Sequence, residues 1–485
     1  MEKSISKNAV LNAIKVLMSM LFPLISFPYA SRVLGPSGVG KVDFSTSVVS
    51  YFILIASLGI GTYGIRQGAK VRDDKEKLST FVQEIFIINL ITTILAYVVF
   101  GISIIKLVQL RPYFDVLMVS GLSIGFTTLG IEWLYGALED YSYITIRSVI
   151  FQAIAIALLF ILVRNKEDYI EYAFVQVFAI VGSNILNLIH ARKFISWKKT
   201  QTYNFKRHMK PIITIFGLNL ACNVYMNLDK TMLGLICNDA EVGLYTAALK
   251  LNRVILQLIL SIGTVVVARL SFYYGKGLLD KFRELFLRVF NYVLMLAIPA
   301  TLGMNLLSGD TLMLISGEEY LSADLTAKIL SLIILIIGMS NLMSVQVFIP
   351  MEKEKYSLYA SSVAAIVNFT LNLVLIRLIG KEGAAISTVI AEFIALLICI
   401  FFSRKLVSYK GVIKNALQYT AAALIIIPIY MISHEICENY IYELISTVFF
   451  SALFYGVILL CFHNKYFLEA WKILNNFWVK IKERK

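Results

Sequence analysis

The chain has 485 residues, of which 58% are hydrophobic and only 16% charged. That composition and a mean hydropathy of +0.76 exclude an ordinary soluble domain, which carries about 45–50% apolar and about 25% charged residues. The formal net charge of +14 does not imply a nucleic-acid partner, because positive-inside loops and anionic lipid give membrane proteins the same excess of Lys and Arg.

Windows of about 20 apolar residues, enough for a helix to cross a bilayer, recur along the chain. The first covers 9–31, behind Lys3 and Lys7. It is too long, and too many similar windows follow it, for a cleaved signal. Further helices are expected near 42–65, 81–105, 114–137, 142–163 and 169–190. A basic polar stretch, 191–210, then holds Arg192, Lys193, Lys198, Lys199, Lys206, Arg207 and Lys210. A second group follows near 211–236, 242–268, 284–307, 325–349, 356–379 and 383–402, with two more helices near 414–433 and 441–462. From His463 the tail mixes Trp471, Phe477 and Trp478 with lysines and reads as a short interfacial helix.

The expected fold is therefore all-α and polytopic, with about fourteen transmembrane helices. Two six-helix lobes, 1–190 and 211–402, flank the linker 191–210, and 403–485 adds two helices and the tail. With both termini cytoplasmic, the inner loops hold about 30 Lys and Arg and the outer loops about 8. Six helices, a linker and six helices suggest two parallel repeats. A sequence echo agrees: Arg32, Leu34, Gly35, Val39 and Gly40 in one half, Lys230, Leu233, Gly234, Val242 and Gly243 in the other.

The polar residues inside these helices are patterned. Asn219, Asn223 and Asn227 recur every four residues and Lys230 follows, which puts them on one helix face. Thr246, Lys250, Arg253, Gln257 and Ser261 repeat the pattern in the next helix. Asn8, Asn12, Lys15 and Ser19 mark the first helix, and Asp43, Ser47, Ser50 and Ser57 the second. Such stripes must face protein or water rather than lipid, and the simplest reading is a water-filled cationic cavity. Lys15, Arg147, Asn219, Asn223, Asn227, Lys250, Arg253 and Gln257 are its candidate substrate contacts. The competing reading for the cations is snorkelling toward the interface. Asp229, Glu132 and Glu392 are the buried acids expected either to take a coupling proton or sodium ion or to pair with a cavity cation. Asp229 and Lys230 point about 100° apart and make a poor pair with each other.

Other signals fall away. Gly35 to Lys41 (GPSGVGK) begins like a phosphate-binding loop, but Val42 replaces the magnesium-binding hydroxyl and the preceding segment is a helix. Its glycines are expected to form a tight turn, and Pro23 and Pro28 to kink the first helix. Scattered Cys222, Cys237, Cys399, Cys437 and Cys461 suggest no metal site and no disulfide framework, and no cofactor or catalytic constellation is expected.

Asp229 to Gly234 (DKTMLG) and Val242 to Ala248 (VGLYTAA) resemble the polysaccharide transporter family, which includes O-antigen and capsule repeat-unit flippases of the multidrug/oligosaccharidyl-lipid/polysaccharide exporter superfamily. Arg32 to Pro36 with Val39 and Gly40, Gly59 to Arg66, and Gly380 to Thr388 are similar to its other recurring stretches, over about the first 400 residues. The resemblance implies two lobes forming a V around a cationic cavity. It also implies movement of undecaprenyl-pyrophosphate-linked oligosaccharide from the inner to the outer leaflet of the bacterial cytoplasmic membrane, with membrane lipid and polysaccharide polymerase machinery as partners. The alternative within the superfamily, a multidrug or cation antiporter, favours an acidic cavity, and these stripes are basic.

Overall fold

A computed structural model describes the backbone of residues 5–198, 202–264 and 266–472, and their side chains except at 5–17, 19, 20, 218, 221, 222 and 264. Every regular element among the described residues is helical. Two compact units divide the chain, Met1–Gly243 and Leu244–Lys485. Among the described residues, eleven helices are long and apolar enough to cross a membrane by length and composition, so this is a multi-pass helical membrane protein.

In the first unit, α1 (Ile5–Ser57) is broken only at Gly35, whose φ of 67° is left-handed, and helical geometry resumes at once with Pro36 in the favoured first position. The expected glycine turn is thus a single residue. Gly38 and Gly40 lie in the helix, and a Cβ on Gly40 would collide with the Asp239 carbonyl, so close packing explains that glycine. Pro23 and Pro28 keep helical backbone angles, and the non-helical residue inside α1 is Gly35. After Gly59 (φ 76°) comes α2 (Ile60–Val71). Asp74 caps α3 (Lys75–Lys106) by accepting from the Glu76 and Lys77 amides, which holds its carboxyl below the usual range.

The span expected at 114–137 is split into α4 (Phe114–Gly130) and α5 (Glu132–Ala137) by Ile131 in left-handed geometry. Next come α6 (Tyr141–Leu162), α7 (Tyr169–Val177), a π-helical segment Phe178–Gly182 and α8 (Asn184–Ala191). The breaks free backbone groups that a bilayer cannot satisfy. Asn187 donates to Gly130 O (2.6 Å) and Asn184 to Phe126 O (3.0 Å). The unit's core gathers Ile60, Tyr63, Phe81, Ile85, Trp133 and Ile212. Gly64 leaves room for the Trp133 ring. A last long helix, α9 (Lys206–Ile236), packs on α1 and α2 within this unit.

The unit boundary falls inside α10 (Asp239–Thr264), which α11 (Val267–Gly275) follows. The second unit continues with α12 (Leu279–Leu306), α13 (Ser308–Ser316) and α14 (Asp324–Leu342). A π-helical segment, Met343–Phe348, leads to α15 (Lys355–Ser403), broken at Ile379–Gly380. Then come α16 (Val412–Ala423), α17 (Ile426–Ile436) and α18 (Tyr440–Cys461). Residues 465–472 are helical at the start of the tail; Phe477 and Trp478 lie outside the described residues. The internal echo extends to structure. A 3-10 turn, Val108–Tyr113, leads into α4 in one unit, and Glu318–Ala323 leads into α14 in the other.

Candidate substrate-contact residues

Two of the four polar stripes meet inside the first unit. Ser47 and Tyr51 of α1 both reach the Thr231 hydroxyl of α9 at 3.0 Å. Ser50 donates to Asn223 Oδ1 (3.3 Å), and Asn227 donates to the Asn223 carbonyl (3.1 Å). These neutral groups form a ladder over about two helical turns, all of them half-buried except Ser47, which is buried. Asp229 and Lys230 are half-buried and each has a partner; Asp229 lies near Tyr51. Asn219 is exposed. Lys15 belongs to α1, but its side chain lies outside the described residues.

Arg147 is only 5% exposed. Its guanidinium donates to Glu132 Oε1 (2.9 Å), Ser183 O (3.1 Å) and Asn184 Oδ1 (3.3 Å). Glu132 opens α5 just after the Ile131 break, and Ser183 sits between the π segment and α8. Arg147 therefore holds together two helix interruptions, using the groups they release. Glu132, expected to be buried, is exposed, and it pairs with Arg147.

In the second unit, α10 separates its polar residues by face. Thr246 and Asn252 are fully buried, with Asn252 donating to Ala248 O (2.9 Å) and Ala327 O (3.1 Å). Arg253, Gln257 and Ser261 are exposed and Lys250 half-buried. Lys250 has a partner, and among the described residues Arg253 makes no ion pair. Glu392 lies half-buried on α15 near Cys399.

A further buried acid escaped the sequence reading. Glu84 of α3 is fully buried and accepts from the Asn204 amide (2.5 Å), Arg207 (2.5 Å) and His208 Nε2 (2.8 Å), while Tyr63 meets His208 Nδ1 at 2.7 Å. Gln83 donates to the carbonyls of Ser196 (2.6 Å) and Lys198 (3.1 Å), and Ser79 accepts from the Ser196 amide (2.9 Å). The basic linker is thus stitched to α3. The signal was present in Ser79, Thr80, Gln83 and Glu84, a polar stripe at helical spacing at the start of an apolar run.

The GPSGVGK segment has no strand before it and runs as helix from Pro36, and Lys41 Nζ lies 4.5 Å from the centre of the Tyr169 ring. Beyond its first turn, the backbone amides are used inside the helix and form no phosphate cradle.

Comparison with known proteins agrees with this architecture. A putative O-antigen transporter of Escherichia coli (strain K12) is 24% identical over 407 residues, covering 83% of this chain and 97% of that protein. Another putative O-antigen transporter, from Shigella dysenteriae, is 25% identical over 385 residues, covering 78% and 94%. The fold is similar to that of a solved structure titled lipid II flippase MurJ, inward closed conformation, with a TM-score of 0.78 at 15% identity over 94% of this chain and 99% of that one. The sequence profile of the polysaccharide biosynthesis protein family matches residues 5–271, more than half of the chain, and the protein belongs to that family.

Proposed function

We propose that the protein is a flippase, not an enzyme, of the bacterial cytoplasmic membrane. It moves undecaprenyl-pyrophosphate-linked oligosaccharide units from the inner to the outer leaflet by alternating access, with both termini cytoplasmic. The names of its relatives, O-antigen transporters and a lipid II flippase, support the substrate class. The carrying observation is the exposed polar face of α10, where Arg253 and Gln257 lie one turn apart with Lys250 beside them on an otherwise apolar helix.

Arg253 and Lys250 hold the pyrophosphate through charge-assisted hydrogen bonds. Gln257 and Asn219 serve the sugar hydroxyls and Lys15 adds a cation, while the ladder bonds of Asn223 and Asn227 support a structural role for those two. The Glu132 pairing supports a structural role for Arg147. A coupling proton or sodium ion then falls to Asp229 or Glu392. The absence of an acidic residue from the α10 stripe argues against a cation exporter.

The test is flipping of a fluorescent undecaprenyl-pyrophosphate oligosaccharide by protein in liposomes. Wild-type protein should expose it to an external lectin. Arg253→Ala with Lys250→Ala should cut the rate tenfold or more, the effect of one lost charge-assisted hydrogen bond of about 1.5–3 kcal/mol. A double variant that inserts normally and flips at the wild-type rate overturns the reading.

A further inference from the structure

The network around Glu84 contains a conflict over one atom. His208 Nε2 lies 2.8 Å from Glu84 Oε2 and also 3.1 Å from Arg207 Nε, whose N–H points at it. A neutral imidazole nitrogen either donates or accepts, never both. If Nε2 carries the proton, it donates to Glu84, and the Arg207 N–H faces another N–H. If Nδ1 carries it, Nε2 accepts from Arg207, and its lone pair faces the carboxylate. The Tyr63 hydroxyl, 2.7 Å from Nδ1, serves either case by donating or accepting. While Glu84 is ionised, no neutral form of His208 satisfies both partners.

Charge sharpens the conflict. Glu84 is fully buried and His208 only 2% exposed, so the carboxylate requires a cation beside it. Two are in reach. Arg207 donates from Nη2 to Glu84 Oε2 (2.5 Å), but its side chain is half-exposed and long enough to turn out to solvent. His208 is fixed between Glu84 and Tyr63 and becomes a cation by taking one proton. Nε2–H then donates to Glu84 and Nδ1–H to the Tyr63 oxygen, and the Arg207 Nε–H is left facing an imidazolium. One cation has replaced the other, and the buried charge still sums to zero.

The titratable and charged groups around the pair are Tyr63 and Arg66 on α2, Tyr203 in the linker and Arg207 on α9. The Asn204 amide holds the other carboxylate oxygen, Oε1. His208 precedes the apolar run that begins at 211. Its burial outweighs the attraction of Glu84 and holds the imidazolium below the usual histidine range, so Arg207 is the resting partner near neutral pH.

We propose that Glu84, His208 and Arg207 form a proton-for-arginine exchange: a proton taken from water by His208 replaces Arg207 as the counter-charge of Glu84 and frees Arg207 to the surface. The site lies where the linker enters α9, so the fastening of α9 to α3 is one that a proton changes. The inference is independent of the proposed transport substrate.

The experiment labels the full chain with 13C and 15N at histidine and arginine and follows it in lipid bilayers by solid-state NMR from pH 8 to pH 4. His208→Gln identifies the His208 signals among those of the four histidines. At pH 8 a neutral ring is expected, with a through-space contact between the Arg207 guanidinium and His208 Nε2. As the ring takes its proton, that contact should vanish in step. Arg207→Gln should raise the midpoint by at least about one pH unit, a tenfold gain in proton affinity, because His208 is then the cation left for Glu84. Glu84→Gln should lower the midpoint. A His208 that stays neutral down to pH 4, or one that is protonated while the Arg207 contact persists, overturns the proposal. So does a midpoint that ignores Arg207→Gln. The titration of the unmodified protein decides the matter if the variants do not fold.

Discussion

The first unit's ladder and the second unit's α10 stripe look alike in sequence, with polar residues every three or four positions on an apolar helix. They end differently. Ser47, Ser50, Tyr51, Asn223 and Thr231 bond to one another across α1 and α9. Arg253 and Gln257 stay exposed. A polar stripe therefore says that a helix face must meet something polar. Whether that partner is a neighbouring helix or a substrate is decided by which stripes pack together. Membrane helices use hydroxyls and amides as glue, at about 0.6 kcal/mol per bond, so a neutral stripe is the weaker sign of a site. A cation left without an ion pair is the stronger one.

The largest expected effect comes from neither stripe. Glu84→Ala leaves His208 buried and Arg207 and the Asn204 amide without their acceptor. Removing one partner of a buried charge network costs about 3–5 kcal/mol, at the lower end here because Arg207 is half-exposed. Thermal unfolding in detergent should show a clear drop in Tm, and Glu84→Gln should restore part of it by still accepting hydrogen bonds. An unchanged Tm in both variants rules out the linker as a fixed part of the first unit.

Next in size is the ladder. Thr231→Val removes the shared acceptor of Ser47 and Tyr51. If the ladder is glue, stability falls by about 1 kcal/mol and flipping changes by less than threefold. A loss of flipping with no loss of stability would instead make the ladder a sugar-binding wall. That outcome would erase the contrast between the units. The smallest effect belongs to Gln257→Ala, expected to leave stability within about 0.5 kcal/mol because the side chain is exposed.

Much of the fold was legible because a bilayer imposes it. Apolar windows and the basic linker are large signals, and α6 and α18 begin and end within one residue of their expected bounds, while α3 and α12 start about five or six residues earlier than expected. The interruptions were not legible. Ile131 adopts left-handed geometry without glycine, and the π segments at 178–182 and 343–348 follow from packing that no local sequence preference dictates. Arg147 illustrates the cost. Its depth in an apolar helix was plain, but the carbonyls it serves exist only because other helices break. Among the candidate site residues, the spacing showed which side chains share a face. The pairing that consumed Asn223 and left Arg253 exposed needed three dimensions.

The central claim is that the exposed cations of α10 grip the pyrophosphate. The most direct measurement is the affinity of full-length protein in nanodiscs for an undecaprenyl-pyrophosphate oligosaccharide, compared with Arg253→Ala at two salt concentrations. The account predicts a Kd at least tenfold weaker in the variant, with less dependence on salt. An equal Kd and an equal salt dependence in a normally folded variant would contradict it.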